Sequence, residues 1–158
     1  MQFENFLNKV FSSYQKDEIT FVGLGNPYRT DDGFGIALSN KLKSLFSNVY
    51  TESDNLDEII LDLCNDGKRG LVIFLDTADF EGDAGDVKVI PFNNVEDVGK
   101  HFHKIPVKLY MKLLMKSKKG TFIIAVEPER LDETEEPVLT EKVKGKVDLL
   151  FKSFKDAQ

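Results

Sequence analysis

The sequence predicts an α/β fold, a three-layer α/β/α sandwich built on a mostly parallel twisted sheet with an antiparallel edge strand. The apolar runs at 71–75 and 121–126 are typical of strands covered on both faces. Segments with helical spacing alternate with the strands, which favours parallel pairing with helices on both sides. The alternating segment 87–90 is ended by Pro91, which indicates an edge strand.

The elements follow one another in a regular order. Apolar residues at helical spacing predict an N-terminal helix within residues 1–15. The remaining elements are predicted as a strand at 19–24, a helix at 36–46, a strand at 48–52, a helix at 56–63, strands at 71–75 and 87–90, a helix at 107–114, a strand at 121–126 and a helix at 143–154. The length and the absence of repeats or linkers predict a single domain over residues 1–158.

Composition and charge exclude several classes of function. The formal charge of −6 argues against binding to nucleic acid or to anionic membranes. Most non-specific affinity for nucleic acid comes from contacts between basic side chains and phosphates, and a negatively charged protein is repelled by them. With Cys64 as its only cysteine, the chain has neither a disulfide framework nor a cysteine zinc cluster. Glu4 interrupts the N-terminal apolar pattern, so no signal peptide is expected, and no run approaches the roughly 20 apolar residues of a membrane span. These observations predict a soluble, cytoplasmic protein.

The chain is organised around the segment 21–35, which reads as a strand, a turn and the start of a helix. A dinucleotide fingerprint would need a glycine at Tyr28, and a phosphate would have to share the helix N-terminus with two carboxylates. We therefore reject a nucleotide site. Asp31 and Asp32 either cap the helix or carry chemistry, and the sequence weighs these two interpretations equally.

Polar residues recur where predicted strands end. Ligands of parallel sheets bind outside the carboxyl ends of the strands, so Asp31, Asp32, Asp76 and His103 are candidates to meet at one edge. Oxygen and imidazole ligands without thiolate suit a first-row divalent metal. Each residue also has a simpler interpretation: Asp76 as a helix N-cap, His103 as a hydrogen-bonded polar residue and His101 as a surface residue.

Three sequence blocks resemble the hydrogenase maturation proteases, endopeptidases that remove a C-terminal extension from the large subunit of nickel-iron hydrogenase. The blocks are Gly23-Leu24-Gly25-Asn26 with Asp31-Asp32-Gly33-Phe34-Gly35, Asp76-Thr77-Ala78-Asp79, and His103-Lys104-Ile105-Pro106. They occur in the family order, and the similarity extends over residues 19–156. The chain departs from the family pattern at residues 53–55, where a glycine pair is usual.

The resemblance implies a site and a partner. Its three nickel-recognising positions fall on Asp32, Asp76 and His103, and nickel is expected to arrive within the hydrogenase large-subunit precursor. Zinc or cadmium would be alternative divalent ions in vitro. Asp31 is a candidate general base or only a helix cap, and Gly25 and Asn26 are expected to contact the substrate.

Two other functions compete with this interpretation. The segment 23–27 also resembles the opening of peptidyl-tRNA hydrolase, an esterase of similar architecture. The acidic pair and the net charge of −6 disfavour an RNA substrate. Alternatively, the chain is a non-catalytic nickel-binding assembly factor that retains the site. The sequence does not separate this function from the protease, because a catalytic water leaves no residue signature.

Overall fold

The computed structural model describes residues 2–97 and 106–158. Its sheet has five strands in the spatial order β2-β1-β3-β5-β4. The strands are Ile19–Gly23 (β1), Val49–Thr51 (β2), Leu71–Thr77 (β3), Val87–Pro91 (β4) and Gly120–Val126 (β5). All neighbours pair in parallel except β4, which is antiparallel to β5. The mostly parallel sheet and the antiparallel edge strand are thus confirmed.

Within the described residues, five α-helices cover the two faces of this sheet. They are Phe3–Ser13 (α1), Phe34–Leu42 (α2), Leu56–Asn65 (α3), Val107–Lys116 (α4) and Glu141–Asp156 (α5). Helices α1, α2 and α5 pack in one apolar cluster with one face of the sheet, and α3 and α4 pack in a second cluster with the other face. The predicted three-layer sandwich is confirmed.

Successive strand residues divide between the two clusters. In β3, Ile73 and Leu75 belong to the cluster with α1, α2 and α5, whereas Val72 and Phe74 belong to the cluster with α3 and α4. All seven residues of β3 are buried, which explains its continuous apolar run. This alternation fixes the face toward which each polar residue at the end of β3 points.

The second helix differs from its prediction at both ends. Asp31 and Asp32 lie in a 3₁₀ turn, Thr30–Gly33, that precedes α2. The helix ends at Leu42, although Phe46 continues the apolar spacing. Phe46 is buried in the core after the helix has ended, with its ring 4.8 Å from that of Phe21. Its apolar character therefore reflects core packing rather than helical structure.

None of the helices in the described ranges is long and apolar enough to cross a membrane.

The parallel strands all end at the same edge of the sheet. The segments that leave this edge are 24–33 after β1, 52–55 after β2, 78–86 after β3 and 127–140 after β5. The fold therefore places these four segments where ligands of such sheets bind.

Candidate functional site

A cavity of about 290 Å³ opens at the carboxyl edge of the sheet, between the segments that follow β1, β3 and β5. It is lined by Asp32, Thr77, Ala78, Asp79, Gly82, Glu127, Pro128 and Leu131. A larger cavity, about 550 Å³, lies at the opposite edge and is lined by Thr20, Leu71 and Lys119 among others. Because parallel sheets bind ligands at the carboxyl ends of their strands, we place the candidate site at the smaller cavity.

Asp32 forms one wall of this cavity with a nearly buried carboxylate. Its Oδ2 accepts a hydrogen bond from the Asn26 amide at 2.9 Å, and its Oδ1 accepts one from the Thr77 hydroxyl at 3.2 Å. Only 6% of the residue is exposed. No lysine or arginine of the described residues forms an ion pair with it. Buried carboxylates are normally paired with a cation or bound to a metal, so this position favours an external cation.

Asp76 is the second predicted ligand at this edge, and it is completely buried near the end of β3. Its Oδ1 accepts a hydrogen bond from the Thr77 amide at 2.7 Å. Thr77 therefore contacts both predicted ligands, Asp76 through its main chain and Asp32 through its hydroxyl. The structure brings the two carboxylates to opposite sides of a single residue.

Asp31 is anchored differently. Its carboxylate accepts hydrogen bonds from the amides of Glu129 and Arg130, at 2.9 and 3.1 Å. It also accepts bonds from the amide and hydroxyl of Thr140, at 2.8 and 2.8–2.9 Å. Neither Asp31 nor Asp32 caps its own helix. Asp31 instead fastens the segment 127–140 to the site, and its complete burial gives no support to a general-base role, which stays a prediction.

The predicted substrate-contacting residues, Gly25 and Asn26, present two consecutive amides. The Gly25 amide donates to Oε1 of Glu52 at 2.7 Å, and the Asn26 amide donates to Asp32. Consecutive amides of this kind bind phosphate in nucleotide-binding loops, but here carboxylates of the chain occupy them. This agrees with the rejection of a nucleotide site. Asn26 is exposed whereas Gly25 is buried, and their contact with substrate stays a prediction.

The polar segment in place of the usual glycine pair forms its own hydrogen bonds. Oδ2 of Asp54 accepts from the Thr51 amide at 2.9 Å, and the hydroxyls of Thr51 and Ser53 are 2.7 Å apart. Oδ1 of Asn55 accepts from the Glu58 amide at 3.3 Å and caps α3. These side chains stabilise the turn without glycine.

Sequence reasoning missed most of the residues that line the cavity or hold its loops, among them Glu52, Thr77 and Glu127. Oε1 of Glu127 accepts hydrogen bonds from the amides of Phe80 and Gly82 at 3.1 and 2.7 Å, which holds the turn on one side of the cavity. The strand-end position of Glu127 before Pro128 was a usable signal, as was the position of Thr77 between two candidate residues. Nothing in the sequence linked Glu52 to Gly25, which lies 27 residues earlier in the chain.

The third predicted ligand, His103, lies outside the described residues, as does His101. Within the ranges 2–97 and 106–158, no group of three or more histidine, cysteine, aspartate or glutamate side chains is arranged to hold a metal ion. The proposed three-residue set is therefore untested by the structure. The described residues resume at Pro106, which directly precedes α4.

A hydrogen bond joins helix α4 to helix α3 near the carboxyl edge of the sheet. The hydroxyl of Tyr110 donates a hydrogen bond to Oδ1 of Asp57, and its ring stacks on Phe74 with centroids 6.5 Å apart. Burial, together with the hydrogen bond to Asp57 and its negative charge, raises the pKa of Tyr110 to about 12. The bond therefore fixes the start of α4 against the first turn of α3.

This raised pKa predicts a pH dependence of stability. Because the folded protein retains the Tyr110 proton to about pH 12 and the unfolded chain only to about pH 10, the stabilising contribution is complete below pH 10. It is expected to be lost as the pH rises from about 10 to about 12. Difference titration of phenolate absorbance between the wild type and Tyr110→Phe measures it. A Tyr110 transition at or below pH 10 in the folded protein would contradict this assignment.

The fold and site together define an α/β/α protein with buried carboxylates at the carboxyl edge of its sheet. No family model matches the chain. A Methanocaldococcus jannaschii protein, named as a candidate hydrogenase maturation protease, is 24% identical over 126 residues, covering 73% of this chain and 75% of the relative.

Solved structures with the same fold include two enzymes named HycI and one named HybD. The [NiFe] hydrogenase maturation protease HycI of Thermococcus kodakarensis aligns with a TM-score of 0.69 and 22% identity, over 95% of this chain and 99% of that one. The endopeptidase HycI of Escherichia coli gives 0.68 and 15%, over 85% and 86%. The hydrogenase maturating endopeptidase HybD of E. coli gives 0.61 and 18%, over 88% of each chain. The predicted resemblance is confirmed: the chain has the fold of hydrogenase maturation proteases.

Proposed function

We propose that this protein is an endopeptidase that removes the C-terminal extension of a nickel-iron hydrogenase large-subunit precursor after nickel has been inserted. We also propose that it acts in the cytoplasm. The observation that carries the proposal is the buried carboxylate of Asp32, which lies at a cavity and lacks a cationic partner among the described residues. The shared fold with named maturation proteases supports the choice of reaction and substrate.

The side chains present suit a divalent cation. Asp32 and Asp76 both accept hydrogen bonds from Thr77, so two acidic side chains lie at this edge of the sheet, and a cation bound there favours their charged forms. Asp76 lies on the strand face covered by α3 and α4, because Val72 and Phe74 point that way. Helix α4 packs on that same face and begins at Val107, four residues after His103, the proposed third ligand.

In this mechanism, Asp32, Asp76 and His103 bind the nickel carried by the precursor and thereby position the scissile peptide at the cavity. The metal supplies Lewis-acid polarisation of a carbonyl or activation of water. Asp32 is held at both carboxylate oxygens, so it offers its remaining lone pairs in a fixed orientation. Glu127 holds the turn beside the cavity, which limits where the substrate can enter. Selectivity for a nickel-loaded precursor follows from the need for that metal.

Incubation with a purified large-subunit precursor tests the proposal. The wild-type protein is expected to shorten the nickel-loaded precursor to one defined product and to leave the nickel-free precursor at full length, as measured by intact mass. The same precursor truncated before its extension serves as the control for non-specific proteolysis. Binding of the loaded precursor without any change in its mass would instead identify a non-catalytic assembly factor.

A further inference from the structure

Thr77 occupies an unusual position between the two carboxylates described above. Its amide donates to Oδ1 of Asp76 at 2.7 Å, and its hydroxyl donates to Oδ1 of Asp32 at 3.2 Å. The residue is 6% exposed and lines the cavity. One residue thus forms hydrogen bonds to acidic side chains that come from different segments of the chain.

The register of β3 explains how a single residue reaches both. Adjacent strand residues point to opposite faces, so Asp76 and Thr77 diverge at the end of β3. Thr77 points toward the layer that contains α2, where the 3₁₀ turn carries Asp32. Its main-chain amide remains in the strand, close to the carboxylate of Asp76. A serine could make both bonds, whereas valine, with nearly the same shape, could make only the one from the amide.

We propose that Thr77 is a positioning residue that orients Asp32 for binding of a divalent cation, an inference that rests on the proposed function. The second oxygen of Asp32 is already held by the Asn26 amide at 2.9 Å. Together the two donors prevent rotation of the carboxylate. Without the hydroxyl, the carboxylate of Asp32 retains only the Asn26 amide as a donor and is free to rotate. Loss of a hydrogen bond that orients a metal ligand typically lowers metal affinity about 10- to 100-fold.

The experiment compares Thr77→Val with Thr77→Ser in the full-length chain. Binding of Ni²⁺ alone is measured by calorimetry, and the visible absorption of bound Co²⁺ reports the geometry of the ligands. We expect Thr77→Val to weaken Ni²⁺ binding about 10- to 100-fold and to alter the Co²⁺ spectrum. Thr77→Ser is expected to bind within about threefold of the wild type with an unchanged spectrum, because it keeps the hydroxyl.

The possible failures are distinguishable. If the wild type binds Ni²⁺ and both variants bind equally well, Thr77 has no positioning role, while the proposed metal site stands. If both variants lose binding together with their thermal stability, the role of Thr77 is structural and the inference is wrong. If the wild type itself binds neither Ni²⁺ nor Co²⁺, the inference fails along with the metal site on which it rests. Loss confined to the valine variant, with its folding intact, supports the inference.

Discussion

Replacement of Asp31 by alanine is expected to lower the free energy of unfolding by about 4 kcal/mol, on the order of 1 kcal/mol for each of four donors left without an acceptor. These donors are the amides of Glu129, Arg130 and Thr140 and the hydroxyl of Thr140. Because Thr140 directly precedes α5, the loss affects both a loop and the start of a helix. Urea unfolding measures the change. Glu135→Ala, at an exposed position, is the control and should stay within about 0.5 kcal/mol of the wild type.

A second substitution at this position, Asp31→Asn, distinguishes a structural role of Asp31 from a catalytic one. Asp31→Asn keeps one acceptor oxygen, so part of the population should remain folded at low temperature. Corrected for the folded fraction, its rate of precursor trimming is expected to stay within about threefold of the wild type. A general base contributes about 10²- to 10⁴-fold. A fall of that size in a fully folded Asp31→Asn protein would establish the base role that the geometry does not support.

Gly25→Ala is expected to destabilise the protein by about 3 kcal/mol and to disrupt the site directly. Gly25 has φ of +123°, and a Cβ there would lie 1.9 Å from the carbonyl oxygen of Asp32. Relief of that overlap requires the Gly25 backbone or the turn that carries Asp32 to shift, which disturbs the hydrogen bonds of Asp32. Thermal unfolding measures the loss of stability, and Ni²⁺ calorimetry measures the damage to the site.

Gly145→Ala is the matched control for Gly25→Ala. Gly145 lies within α5, and a Cβ there meets nothing within 4 Å. Since alanine favours a helix over glycine, this change should stabilise the protein by up to about 1 kcal/mol. Equal stability of the two variants would show that the backbone of Gly25 is not constrained as described.

The sequence was sufficient to predict the sheet because its signals are local and repeated. The buried run of β3 and the Pro91-terminated β4 each identify a strand and its position. The motif at the end of β1 also predicted correctly that Asp32 lies at the carboxyl edge. Its neighbour Asp31 has the same local signal, yet its partners lie near residues 129 and 140.

Long-range hydrogen bonds explain what could not be predicted. Capping was a reasonable expectation for a carboxylate at the start of a helix, but capping depends on side-chain geometry that spacing alone does not determine. Glu52 reaches the Gly25 amide across 27 residues, and Glu127 reaches the Gly82 amide across 45. Such contacts arise only when the sheet brings strand ends together. Thr77 lies within the Asp76-Thr77-Ala78-Asp79 motif, but its role depends on the face of β3 that it occupies.

The most direct test of the account is the intact mass of a nickel-loaded large-subunit precursor after incubation with single alanine substitutions of Asp32, Asp76 and His103. Each variant is first shown to be folded by circular dichroism. The account predicts that the rate of trimming falls about 100-fold or more in every variant, because each substitution removes one of three proposed nickel ligands. Trimming at the wild-type rate by all three variants would contradict the assignment of the site.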